Sequence, residues 1–425
     1  MIGLPAARQT DETTIGGPIT QGSLGVLIGA PSGVACSTCP DGQKVGKPVN
    51  PLLGAKVLSA ETDFALQAAV PFILSRSYSS YQTDTPAPVG LLGPGWQLPS
   101  GVSLLVTKTG LILNDNGGRS LHFNTLAVGE AHFSRSESLW LVRGGLLERD
   151  KSHPLAMLWG TLPESWRLNS HLYLCTADAL GPWWVLGISE DEGHTALPAP
   201  LSARRFLRGM RDRFGQELQY VYAGTDLFAG VITEVEDSVG RRYRLEHQHI
   251  ADAVCAQRGG WGRDNGVRLS AVYLMHDPDF PDVPTDPLVR YEYTPRGELQ
   301  TVYDRSGQAI RQFAYHPDLL GRMTAHRYLG RPVSRYTYDA QGRAVTQSNP
   351  NGLDYQFDYA ADSTTVTDSL GRRETYDYTG EKGFKRVVKR TYADGSESHN
   401  EVAGYLLMAQ TDALGRKTAR SEERR

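Results

Sequence analysis

Charge imbalance, cysteine, long apolar runs and catalytic signatures are all scarce in this sequence, and each scarcity removes a class of protein. Lys and Arg total 44 against 47 Asp and Glu, for a formal charge of −3. That balance gives no electrostatic footprint for a polyanion, so nucleic acid is not expected as a partner. Four cysteines (Cys36, Cys39, Cys175, Cys255) in 425 residues are too few for a disulfide scaffold and fit a reducing cytosol. No apolar run reaches the roughly 18 residues of a membrane-spanning segment. The N-terminus also lacks a basic stretch followed by an apolar stretch and a cleavage site, so no general secretory signal is expected. G-x-x-x-x-G-K-[ST], H-E-x-x-H, G-x-S-x-G and a helix-opening G-x-G-x-x-G are missing, so neither an enzyme nor a cofactor is expected.

Glycine is abundant, at 45 residues, and 20 tyrosines outnumber 11 phenylalanines. That mixture predicts many turns joined by amphipathic strands. The chain is several times a usual domain of roughly 100 to 200 residues, so it needs several cores or one repetitive core. Four regions can be read. Residues 1–47 are Gly- and Pro-rich with short apolar runs. Residues 48–125 open on Pro48-Val49-Asn50-Pro51 and carry strand-like stretches around a Gly90-to-Trp96 loop. Residues 126–205, with Trp140, Trp159, Trp166, Trp183 and Trp184, read as a β-rich connecting region.

From 206 to 425 a repeat takes over. Asp-x-x-Gly recurs at Asp212/Gly215, Asp237/Gly240, Asp304/Gly307, Asp318/Gly321, Asp339/Gly342, Asp368/Gly371 and Asp412/Gly415. An aspartate opening a tight turn bonds the backbone ahead of it, and a closing glycine accepts positive φ. Between turns the tyrosines alternate, as at Tyr336/Tyr338, Tyr355/Phe357/Tyr359 and Tyr376/Tyr378. Period-two spacing puts each set on one strand face, whereas a helix would splay them. Stacked hairpins would bury the aromatic row against neighbouring repeats, and the sheet would grow lengthwise with no compact centre required.

Alternative chemistry at these residues is weak. Cys36-x-x-Cys39 has the spacing of a metal knuckle but lacks a second pair, so a loop thiol pair is expected and no metal site. His247 and His249 would share a strand face, with no third ligand in view. The repeated aspartates are turn residues rather than glycosidase acids. Tyrosine rows could stack on bases or sugars, but packing is the simpler role without a basic groove. No acid and base pair can be named for a hydrolase in 126–205.

Tyr336-Thr337-Tyr338-Asp339-Ala340-Gln341-Gly342-Arg343 resembles the YD repeat of Rhs proteins, with Asp368, Gly371, Tyr376, Tyr378, Asp412 and Gly415 in matching positions of later repeats. Residues 48–125 are similar to the domain preceding the Rhs core. The carriers of that likeness are Asn50, Pro51 and Gly54, then Asp63, Arg76 and Tyr78, and finally Gly93, Gly95 and Trp96. Residues 3–8 and 16–29 resemble the closing half of a PAAR domain, although Ile15-Gly16-Gly17 stands where that family has His-Gly-Gly. The resemblance implies an all-β fold of antiparallel YD-repeat hairpins wound into part of a large hollow shell, or cocoon. It also implies a C-terminal toxin domain absent from this chain, a VgrG spike protein and a chaperone as partners, and export from the bacterial cytoplasm by the type VI secretion apparatus. Asp277-Pro278 and Asp286-Pro287 lack the glycine of the family's Asp-Pro-x-Gly self-cleavage segment, so a fragment or truncated product is expected. The other reading to be weighed is an extracellular carbohydrate-binding or adhesion module.

Overall fold

The computed structural model describes residues 39–85, 87–115, 119–134, 137–187, 204–223, 230–255, 264–403 and 406–419. The PAAR-like stretches and Cys36 lie outside these residues. Among the described residues the architecture is antiparallel β throughout, with a few short helices.

The first sheet has four strands in sequence order: β1 (Val49–Asn50), β2 (Ala55–Ala65), β3 (Ile73–Ser79) and β4 (Trp96–Gln97). A much larger sheet follows. It begins with β5 (Ser103–Val106), β6 (Leu111–Asn114) and β7 (Ser120–Phe123), and continues through β8 (Ala131–Ser134), β9 (Leu139–Arg143), β10 (Tyr173–Thr176), β11 (Trp183–Gly187), β12 (Arg204–Arg211) and β13 (Glu217–Tyr222). β12 is a branch point. Its residues 206–211 pair with β11, 204–206 with β5 and 209–211 with β13. Beyond β13 each strand pairs with the next, hairpin after hairpin, as far as Lys417–Ala419. β5 to β7 thus belong to the large sheet, although they precede residue 125.

The region 126–205 is not purely β. Two one-turn helices, α1 (Ala156–Gly160) and α2 (Glu164–Leu168), sit between β9 and β10. Its tryptophans serve packing: Trp159, Trp183 and Trp184 are buried in the core, and Trp140 and Trp166 pack against it.

Six of the seven Asp-x-x-Gly segments form one and the same turn. The Asp amide donates to the carbonyl four residues on, and the Gly amide returns to the Asp carbonyl, as in Asp339–Arg343 and Gly342–Asp339, both 2.9 Å. Oδ1 of Asp339 also accepts the amides of Gln341 and Arg343 at 3.0 and 2.9 Å, and Arg343 Nε closes on Oδ2 at 2.8 Å. Gly342 holds φ +74°, which a Cβ would strain. Asp318/Gly321 is the exception. There the Gly321 amide donates to Glu298 Oε1 and Arg322 N donates to Leu319 O, so the turn is tied to a neighbouring hairpin instead of to its own aspartate.

Stacked hairpins by themselves do not bury the aromatic row. Tyr291, Tyr336, Phe357 and Tyr376 are buried, yet neighbouring hairpins alone do not cover them, because one sheet face needs a second layer. The first sheet and its loops supply that layer. Phe72, Leu74, Tyr78 and Trp96 share one apolar cluster with Tyr243, Tyr291 and Met323, and Val49 and Leu52 share another with Tyr336, Phe357 and Tyr376. The opposite strand face, for example Gln356 and Asp358, is exposed.

Candidate functional site: the seat of the N-terminal segment

Several hairpins of the repeat carry a register shift beside the turn, as at Thr337/Tyr338 opposite Ala344 and Ala314/Tyr315 opposite Met323. Such a bulge leaves backbone groups without a partner in the sheet. Buried orphans of this kind must be satisfied elsewhere. The second tyrosine of the following repeat takes the carbonyl: Tyr338 Oη donates to Met323 O at 2.7 Å, Tyr359 Oη to Ala344 O at 2.5 Å and Tyr315 Oη to Leu299 O at 2.7 Å. The N-terminal segment takes the amide. Ala344 N donates to Gly54 O at 2.8 Å, and Met323 N donates to Tyr78 Oη at 3.0 Å.

The seat is therefore built on the bulges, and close approach follows. A Cβ on Gly54 would stand 2.4 Å from Arg343 Cβ, and one on Gly93 would stand 2.2 Å from Gly297 O. Trp96, fully buried, donates from Nε1 to Tyr315 Oη at 2.8 Å, and its ring meets Phe313 edge-on at 4.8 Å. Asn50 folds the approach to the seat, donating to Gln43 O at 2.8 Å and accepting Leu53 N at 3.0 Å. Pro51 O accepts Thr364 Oγ1 at 2.9 Å.

At the centre lies an ionic knot. Arg76, with 1% of its side chain exposed, binds Asp63 Oδ2 and Glu61 Oε2, both at 3.0 Å. Tyr291 Oη donates to Asp63 Oδ2 at 2.7 Å, Arg311 Nε to Glu61 Oε2 at 3.1 Å, and Tyr328 Oη to Glu61 Oε1. Burial works against the Arg76 charge, but Asp63 and Glu61 outweigh it and hold its pKa above the ordinary guanidinium value. Burial likewise opposes the Glu61 charge, and Arg76, Tyr328 and Arg311 outweigh it, holding that carboxyl below its usual range.

Close by, Lys56 is fully buried with no carboxylate bonded to it. Its Nζ donates to Lys47 O at 2.6 Å and Val57 O at 2.8 Å and lies 4.8 Å from the Tyr336 ring centre. Burial pushes its pKa well down. The Tyr336 hydroxyl donates to the same Lys47 carbonyl, and His326 stacks on that ring at 5.8 Å.

Residues 46–123 match a family described as a domain of unknown function, DUF6531. Toxin protein Tse5 of Pseudomonas aeruginosa is 35% identical over 445 aligned residues, which cover 100% of this chain and 31% of that protein. Probable deoxyribonuclease RhsB of Dickeya dadantii is 24% identical over 357 residues, covering 77% and 23%. This chain is an Rhs protein. Double-stranded DNA deaminase toxin A of Burkholderia cenocepacia is also similar to the Rhs chain, 26% identical over 337 residues, covering 77% and 19%. The Rhs chain spans less than a third of the length of each of these relatives. Among solved structures, TcdB2-TccC3 overlays with a TM-score of 0.33 at 10% identity, covering 82% of the Rhs chain and 20% of that one. The Photorhabdus luminescens Tc holotoxin pore gives 0.24 at 11%, covering 83% and 23%.

Of the residues singled out in the Rhs chain, Gly54 lies against Arg343, Pro51 O binds Thr364, Asp63 binds Tyr291, Tyr78 binds Met323 N, Gly93 approaches Gly297 and Trp96 binds Tyr315, while Asn50, Arg76 and Gly95 pack within the N-terminal segment that makes these contacts. Gly95, at φ +83°, packs on the Tyr78 ring, and Gly342 O accepts Arg322 Nε at 2.9 Å, whose guanidinium also binds Asp84. Tyr376 and Tyr378 belong to the apolar cluster around Val49 and Leu52. The turns Asp368/Gly371 and Asp412/Gly415 are not part of the seat, and their glycines are exposed. Sequence reading missed Glu61, Lys56, Arg322 and Lys385, which donates to Leu52 O at 2.9 Å. Each also has a partner more than two hundred residues away, Arg311 and Tyr328 for Glu61, Tyr336 for Lys56, Asp84 for Arg322 and Leu52 for Lys385, which no local spacing could reveal. His247 and His249 lie on the strand Arg242–His249, and no cluster of three or more metal-ligating side chains occurs among the described residues. Cys39 Sγ receives Asn50 Nδ2 at 3.6 Å. No helix among the described residues is long and apolar enough to cross a membrane.

Proposed function

We propose that this chain is a structural, non-catalytic part of an Rhs polymorphic toxin. In this reading residues 206–425 supply shell wall, residues 48–125 plug it from within, and residues 1–47 carry a PAAR-like remnant that joins a VgrG spike. The shell encloses a C-terminal toxin domain with the help of a chaperone, and the type VI apparatus exports it from the bacterial cytoplasm. One observation carries the proposal. The aromatic face of the repeat sheet is buried under the N-terminal segment while the opposite face is polar and exposed, so the wall has a built-in inside and outside. The similarity to toxin proteins along the whole chain supports the same assignment.

The carbohydrate-adhesion reading loses its platform, because Tyr336 is 2% exposed and its hydroxyl is spent on Lys47 O. The test is protease protection in the full-length natural protein. A C-terminal domain cleaved much more slowly in the intact protein than when expressed alone supports enclosure. Equal cleavage rates would sink it. Loss of co-purification with a VgrG spike on deleting residues 1–47 tests the connection separately.

A further inference from the structure

A recess of about 300 Å³ lies between Lys44–Gly46 and the repeat strands that follow Tyr355. Five charged side chains line it: Lys44, Arg372 and Arg390 against Asp368 and Glu374. The two carboxylates are already engaged. Asp368 Oδ2 binds Arg372 Nε at 2.7 Å, while its Oδ1 accepts the amides of Leu370 and Arg372. Glu374 Oε2 binds Arg390 at 2.8 Å and accepts Tyr376 Oη at 3.1 Å.

Donors, by contrast, are left over. Arg390 is held between the rings of Tyr376 and Tyr392, at 5.0 and 4.6 Å, and its enclosed Nε–H has no acceptor among the described residues. Tyr355 adds a hydroxyl that, unlike those of Tyr338, Tyr359 and Tyr378, makes no hydrogen bond among the described residues. Leaving an enclosed donor of this kind unsatisfied costs about 1–3 kcal/mol, and because the Nε–H is closed to solvent, an acceptor in the recess recovers that cost through a small shift of the Arg390 side chain. Three cations against two carboxylates leave one net positive charge, which matches a monoanion. A phosphate dianion would meet Asp368 and Glu374 with charge to spare.

We propose that this recess binds a carboxylate, supplied either by an acidic side chain of a polypeptide or by a free organic acid. Arg390 and Tyr355 donate to its oxygens, and Lys44 and Arg372 balance its charge. The site does not depend on the shell reading, and its test is independent of enclosure.

The experiment is calorimetric titration of the full chain with four probes: a blocked tetrapeptide containing one Glu, its Gln counterpart, acetate and inorganic phosphate. The Glu peptide is expected to bind at least tenfold more tightly than the Gln peptide. Tyr355→Phe should weaken binding several-fold, and Arg390→Met should abolish it with the circular dichroism spectrum retained. Should Arg390→Met misfold, Tyr355→Phe, which removes a single oxygen, still decides. Acetate binding as tightly as the Glu peptide assigns a free acid; preference for the peptide assigns a polypeptide. Equal binding of the Glu and Gln peptides, tighter binding of phosphate, indifference to Tyr355→Phe, or no heat up to about 10 mM probe would each overturn the proposal.

Discussion

The amide of Ala344 donates to the carbonyl of Gly54 at 2.8 Å, joining the bulge of a repeat hairpin to a segment near the other end of the chain. Turn chemistry creates the bulge and the bulge frees the amide. The N-terminal segment is held by the same irregularity that lets the hairpin close.

Gly54→Ala is expected to disrupt that bond. Gly54 sits at φ +66° with Arg343 Cβ in the way, so strain and clash together cost about 2–4 kcal/mol. Denaturant unfolding of the two proteins side by side measures it. A change below about 0.5 kcal/mol, the size usual for a surface substitution, would mean that the segment does not approach this closely.

Arg76→Met leaves the buried Asp63 carboxylate without its cation, while Glu61 keeps Arg311, and the expected cost is about 3–5 kcal/mol. Tyr291→Phe removes one hydrogen bond to Asp63 and should cost about 1–2 kcal/mol. Thermal unfolding gives the order, and a larger loss from Tyr291→Phe than from Arg76→Met contradicts the knot described.

Tyr359→Phe deletes the donor to Ala344 O and nothing else, for an expected loss of about 1–2 kcal/mol. Hydrogen exchange is the sharper readout. Exchange should accelerate around Ala344 and Gly54 before it does around Tyr220, in a distant part of the sheet.

Acid should loosen the seat through His326. Burial, with Lys56, Lys47 and Arg311 adding to it, lowers this imidazole from 6.5 to about 3. Glu61, Tyr328 and Tyr336 are the other titratable groups around it. The folded form keeps His326 neutral while the unfolded chain takes up a proton below about pH 6.5, so stability is full above that value and declines as pH falls toward 3. His326→Gln should flatten the decline between pH 6.5 and about 4.5, above the range in which Glu61 titrates. An unchanged slope would show that His326 is not enclosed beside Lys56.

Alkali should act through the tyrosines. Burial raises the phenols of Tyr78, Tyr291, Tyr336 and Tyr359 above their ordinary value of 10. Their contribution is intact below about pH 10 and is lost as the pH rises toward the folded values, because only the unfolded chain ionises in that window. Phenolate absorbance and loss of the β circular dichroism signal should therefore move together above pH 10. Full ionisation of these rings with the sheet intact contradicts their burial.

The repeat was legible because its information is local. Asp339 bonds amides two and four residues ahead, Gly342 needs only its own φ, and alternation puts Tyr336 and Tyr338 on one face whatever lies above them. Asp318/Gly321 misled for the complementary reason: Glu298, at the end of another hairpin's turn, claims the Gly321 amide, and no local pattern records that.

Sequence alone thus determined the turns, the strands between them, which face of each strand is apolar, and the family likeness. Only the tertiary structure decided what covers that face. The partners of Gly54, Glu61, Asp63 and Trp96 across the sheet lie more than two hundred residues away, Arg76 alone pairing locally with Glu61 and Asp63, and each distant pairing depends on how the intervening hairpins are stacked. A hydrogen bond within a turn is specified by a few dihedral angles, whereas a seat across the sheet is specified by the summed geometry of every hairpin in between.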